Sequence, residues 1–73
     1  MNSLIRLKLA KRIKELRQKC GYTQDKLSEI TEIDVKYIQR IEGKNPPNIR
    51  VETIERLAKA LKTTPSKLLD FKE

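Results

Sequence analysis

Apolar residues recur along the chain at helical spacing, interrupted by start and stop signals at short intervals. Ile5, Leu9, Ile13, Leu16 and Cys20 follow at steps of four, four, three and four, which lines one face of a helix over about Leu4 to Lys19. Gly21 supplies the stop. Thr23 is then a natural N-cap, with Asp25 in the first turn and Tyr22 and Leu27 at hydrophobic-staple spacing. This second helix must be brief, because Asp34 is a further cap and Ile33 and Ile38 repeat the staple. Two caps eleven residues apart dictate a short helix, a tight turn and another short helix. The third helix should end at Gly43, since Gly43 to Asn48 contains Pro46 and Pro47 and cannot remain helical. Val51, Ile54, Leu57, Ala58 and Leu61 share one face of a fourth helix. Thr64-Pro65 opens a fifth, with Leu68, Leu69 and Phe71 on its apolar side. No strand-like alternation and no internal repeat interrupts this order. The expectation is an all-α, five-helix fold forming one domain over residues 1–73.

Composition narrows what such a domain can do. The hydrophobic and charged shares are equal at 37%, which suits amphipathic helices better than a disordered chain. Seventeen Lys and Arg against ten Asp and Glu leave a net charge of +7 on 73 residues, a footprint suited to a polyanionic partner. Histidine is absent and Cys20 is the single cysteine, so a zinc site would lack ligands and no metal or cofactor is expected. Cys20 reads as a small apolar residue near a helix end. An enzyme is disfavoured, because there is no paired-carboxylate cleft, no glycine-rich phosphate loop and no base beside a nucleophile. No apolar run approaches the roughly 18 residues of a membrane span, and the start has no signal-peptide core. A cytoplasmic, nucleoid-associated protein without membrane contact is therefore expected.

Angular position along the third helix separates its faces. At about 100° per residue, Ile38 and Ile41 define the buried side. Lys36 then lies almost opposite, with Gln39 and Arg40 about 130° away on either flank and Val35 and Tyr37 at the borders. Lys and Arg pair with guanine edges, Gln with adenine, and an apolar group with the thymine methyl. On an ordinary helix these would be plain solvent-facing residues. The cap-to-cap unit around them favours groove reading.

The run from Thr23 to Glu42 resembles, without a gap, the helix-turn-helix of the lambda-repressor-like, Cro-type (XRE-like) regulators. Leu27, Ile33, Ile38 and Ile41 stand where that family places its apolar contacts. Ile13-Lys14-Glu15-Leu16-Arg17 is similar to its first-helix pattern, and Leu57-Ala58-Lys59-Ala60-Leu61 to its fourth. The likeness covers roughly residues 9 to 69. It implies a compact lambda-repressor-like DNA-binding domain whose unit spans about 23–42, with a recognition helix from Asp34 to Glu42. By the same resemblance Val35, Lys36, Tyr37, Gln39 and Arg40 face DNA, and Gln24 holds a phosphate. Lys44, Asn45 and Arg50 are further phosphate candidates, and Arg17 and Glu42 form a buried structural ion pair. Ser28 stands where the family usually has Ala, and Glu32 where it has Gly, which obliges Glu32 to adopt a left-handed or distorted backbone. Thr31 replaces a usual apolar residue.

The function these features imply is sequence-specific binding of double-stranded DNA by a transcriptional repressor or controller. A single module contacts few base pairs, so a homodimer on two half-sites is expected, with Leu68, Leu69 and Phe71 either forming its seam or packing on the domain's own core. The rival reading is an antitoxin or other adaptor whose main partner is a protein. The few residues beyond Asp70 leave little for the tail that such a partner usually grips.

Overall fold

The computed structural model describes residues 4–71 and contains five helices among them: α1 (Leu4–Lys19), α2 (Gln24–Thr31), α3 (Val35–Ile41), α4 (Val51–Ala60) and α5 (Pro65–Leu68). No strand occurs among the described residues. α2 packs against both α3 and α4, while α5, a single turn, bridges α4 and α1. Leu9 and Ile13 of α1, Leu27 of α2, Ile38 and Ile41 of α3, Ile54, Leu57 and Ala58 of α4, and Leu61 and Leu68 share one core. Leu16, Cys20, Tyr22, Ile33 and Phe71 pack against its edge. Cys20 fills the apolar place expected of it, and its thiol reaches the Leu61 carbonyl at 3.6 Å.

Local chemistry sets the element ends. At the end of α1, Gly21 sits at φ +77°. The Tyr22 N–H returns to the Arg17 carbonyl and the Gly21 N–H to that of Gln18, both at 3.0 Å, a pairing that satisfies carbonyls left over at a helix end. Thr23 caps α2 by accepting from the Lys26 N–H at 3.0 Å. Asp34 caps α3 by accepting from the Lys36 N–H at 2.8 Å. Thr64 caps α5 by accepting from the Lys67 N–H at 3.2 Å. Each such cap contributes about 1 kcal/mol.

The turn between α2 and α3 departs from the family pattern and remains well bonded. Glu32 takes φ 62° and ψ 24°, the left-handed conformation its position demands. Thr31 is buried, yet its hydroxyl donates to the Leu27 carbonyl at 2.7 Å and accepts from the Ile33 N–H at 3.2 Å. A hydroxyl satisfied twice can replace an apolar side chain without a large desolvation cost. The Ser28 hydroxyl donates to the Ile33 carbonyl, so two side chains brace the turn. Within this turn the strain that remains is the left-handed backbone of Glu32. Glu32→Gly is expected to stabilise the fold by about 0.5–1 kcal/mol, the left-handed penalty relieved less the extra unfolded-chain entropy of glycine. The urea midpoint should rise with an unchanged slope. A lower midpoint would mean that the Glu32 side chain itself stabilises the turn.

Three apolar positions differ from the periodic reading. Ile5 is 63% exposed, because burial on α1 begins at Leu9 and the turns before it project past the core. Val51, at the first position of α4, is 80% exposed, one turn ahead of the first buried residue on that helix. Leu69 caps the C-terminus of α5 and is exposed, whereas Leu68 inserts fully into the core. Leu68 is therefore a core residue and not available for a dimer seam.

Candidate nucleic-acid interface

α3 divides cleanly by exposure. Ile38 and Ile41 are fully buried, and they press the helix onto the body. Lys36, Gln39 and Arg40 are exposed on the other side, with Val35 and Tyr37 half-buried at the borders. The Arg40 guanidinium lies over the Tyr37 ring, 6.0 Å from its centroid. That is the outer limit of a cation–π contact, and it biases a long side chain toward one pose. Three long side chains thus project from a short rod whose own position is rigid.

That rigidity comes from a polar cluster beneath the helix end. Arg17 Nε donates to Glu42 Oε2 at 2.8 Å, and Arg17 Nη2 donates to Glu42 Oε1 at 3.0 Å. The pair is bidentate, the geometry in which guanidinium and carboxylate bind best. Arg17 Nη1 adds a bond of 2.7 Å to the Tyr22 carbonyl. Gln24 Nε2 donates to Glu42 Oε1 at 3.0 Å. The side chains of Arg17 and Glu42 are 11% and 3% exposed. The last turn of α1, the first residue of α2 and the C-cap of α3 are thereby joined through one carboxylate. This cluster fixes how α3 sits relative to α2.

The other candidate residues surround α3. Gln24 is half-buried, its amide held by Glu42. Lys44 and Asn45 are exposed in the connection after α3. Arg50 is exposed at the N-cap of α4, where its side chain makes no capping bond. Arg6, which sequence reasoning placed in no functional role, lies beside Arg40 and Lys44 on the rim of one concavity. The bond from Gln24 to Glu42 was likewise not foreseen, because no local pattern links residues 18 apart. Among the described residues no helix is long and apolar enough to cross a membrane.

Comparison with known proteins places this geometry in a family. Residues 13–68 match the model of a family described as helix-turn-helix. The chain is 33% identical over 72 residues to the control protein C.BamHI of Bacillus amyloliquefaciens, covering 97% of this chain and 88% of that one. Its fold is similar to the crystal structure of the restriction-modification controller protein C.AhdI from Aeromonas hydrophila, with a TM-score of 0.80 and 30% identity over 86% of this chain and 94% of that one. It is also similar to the wild-type restriction-modification controller protein C.Esp1396I, with a TM-score of 0.82 and 28% identity over 92% and 86% of the two chains. The five helices, the capped turn around Glu32, the exposed face of α3 and these likenesses agree. The chain belongs to the XRE-type helix-turn-helix family of DNA-binding transcription regulators.

Proposed function

We propose that this chain is a homodimeric controller of transcription that docks α3 in the major groove and reads sequence there. Val35, Lys36, Tyr37, Gln39 and Arg40 face the base edges, while Gln24, Lys44, Asn45 and Arg50 hold the flanking phosphates. The observation that carries this reading is the division of α3, with Ile38 and Ile41 buried beneath exposed Lys36, Gln39 and Arg40. Phosphate contacts fix register and base contacts choose sequence, so the two sets have separate jobs. The similarity to proteins described as restriction-modification controllers supports the same kind of role here. The chain acts by occupying DNA in the nucleoid, without catalysis.

Dimerisation follows from the size of the module. One recognition helix reaches only a few base pairs, and two half-sites about one helical turn apart give a dimer its specificity. Leu69 is the exposed apolar residue of the α5 end and a candidate for the seam.

Selection of bound sequences from a random duplex pool at two salt concentrations tests the reading. A two-fold symmetric motif, retained at the higher salt, is the expected outcome. A flat preference whose affinity collapses with salt would reduce the interaction to charge attraction and overturn it.

A further inference from the structure

Arg17 and Gln24 meet on one oxygen of Glu42. Oε1 accepts from Arg17 Nη2 and from Gln24 Nε2, each at 3.0 Å, while Oε2 accepts from Arg17 Nε at 2.8 Å. The bidentate guanidinium already balances the charge of this buried carboxylate, so the bond from Gln24 is not needed for that purpose. Its consequence falls on Gln24 instead. A glutamine amide has an acceptor end and a donor end, and an unheld side chain offers either. A carboxylate only accepts, so Glu42 takes the nitrogen end and refuses the oxygen end. One N–H of that nitrogen is thereby committed. The second, fixed with it by the planar amide, has no acceptor among the described residues. Gln18 and Gln39 differ: both are exposed, and neither side-chain amide is bonded among the described residues.

Phosphate oxygens accept and never donate, so only the nitrogen end of a glutamine can hold one. A donor fixed before DNA arrives also loses less rotamer freedom on binding. A bare carboxylate behind such a contact would repel the phosphate, and the Arg17 guanidinium cancels that charge. We propose that Glu42 is a positioning residue for DNA binding: through Oε1 it holds the Gln24 amide with one N–H presented to a backbone phosphate beside α2. Glu42 is also the C-cap of α3, so one carboxylate sets both the phosphate contact and the base-reading helix. The assignment rests on the docking of α3 and the phosphate role of Gln24 given above.

Two measurements on the full chain test this. Nitrogen-15 relaxation of the side-chain amides in the free protein should find Gln24 as ordered as the backbone of α2, with Gln18 and Gln39 mobile. A Gln24 amide as mobile as those two overturns the assignment, whatever the variants do. The second measurement is a mutant cycle between Gln24→Ala and the pair Arg17→Met/Glu42→Leu, which removes the carboxylate and leaves no buried charge unpartnered. Affinities are read on the selected duplex and on a scrambled one. In the wild-type background Gln24→Ala should weaken both duplexes by about tenfold for each subunit bound, the effect of losing a bond to a charged acceptor. The salt slope should not change, because a neutral amide releases no counter-ion. A shallower slope would mean that charged contacts left with it, and would overturn the assigned role. In the Arg17→Met/Glu42→Leu background Gln24→Ala should cost less than about twofold, since the amide is no longer held. A purely structural Glu42 would leave the Gln24→Ala loss equal in the two backgrounds, and that result overturns the proposal while sequence selection by the wild-type chain keeps the docking reading intact. A wild-type chain that selects no sequence, with the coupling still present on scrambled DNA, sinks the docking reading and keeps the phosphate contact.

Discussion

Glu42→Ala is expected to cost about 3–5 kcal/mol of folding stability, because it leaves the Arg17 guanidinium buried without its carboxylate. A chain of 73 residues has roughly 4–11 kcal/mol in total, at typical values per residue. The variant should therefore be largely unfolded or close to it at 37 °C. The effect is larger than that of a surface pair because both partners are taken out of water, the carboxylate almost completely. One further group, the Gln24 amide, loses its acceptor together with Arg17. Gln24 Nε2 shares Glu42 Oε1, and α3 loses the tie at its C-cap. Urea unfolding followed by far-UV circular dichroism measures the loss. The double variant Arg17→Met/Glu42→Leu should be more stable than Glu42→Ala, since no buried charge remains without a partner. A loss below about 1 kcal/mol for Glu42→Ala would place the pair among solvated surface bridges and contradict the role given to it.

Arg40→Ala should reduce binding to the selected duplex by about 1–3 kcal/mol and relax preference at the base pair it reads. On scrambled DNA the loss should be smaller. Arg40 is exposed, so the fold itself should change by no more than about 0.5 kcal/mol. The side chain has two features suited to base reading. It stands on the face of α3 opposite the buried isoleucines, and the Tyr37 ring beneath it restricts its poses before DNA arrives. Ordering a free arginine on binding costs rotamer entropy, and a side chain already biased toward one pose loses less. Fluorescence anisotropy on both duplexes at one salt concentration measures the difference. An equal loss on the two would make Arg40 a phosphate contact only.

The sequence was most informative where structure is local. Thr23, Asp34 and Thr64 act as caps within three residues of their partners, so their meaning is readable from neighbours alone. The faces of α3 were also legible, because 3.6-residue periodicity sorts inside from outside on a helix with two strongly apolar positions. Periodicity fails at ends, since it reports direction and not the reach of the neighbouring element. Ile5 and Val51 share a side with buried residues but lie beyond the core that would cover them. Backbone reversal was visible at Gly21, and at Glu32 through the resemblance to a family with glycine there. It was invisible at Lys62, which takes φ 61° with no sequence mark. The hydrogen bonds of its turn, from the Lys62 N–H to Lys59 and from the Thr63 N–H to Ala58, resemble those at Gly21. Long-range polar contacts have no periodic signature at all. Arg17 and Glu42 are 25 residues apart, and only the family likeness pointed to them as partners. The meeting of Arg6 with the connection after α3 had neither kind of signal.

Methylation interference on the selected duplex addresses the placement of α3 most directly. Dimethyl sulfate modifies guanine N7 in the major groove and adenine N3 in the minor groove. With α3 docked as described, N7 methylation should block binding in two clusters centred about one helical turn apart. Interference restricted to adenine N3, or none at either position, would show that α3 does not read the major groove.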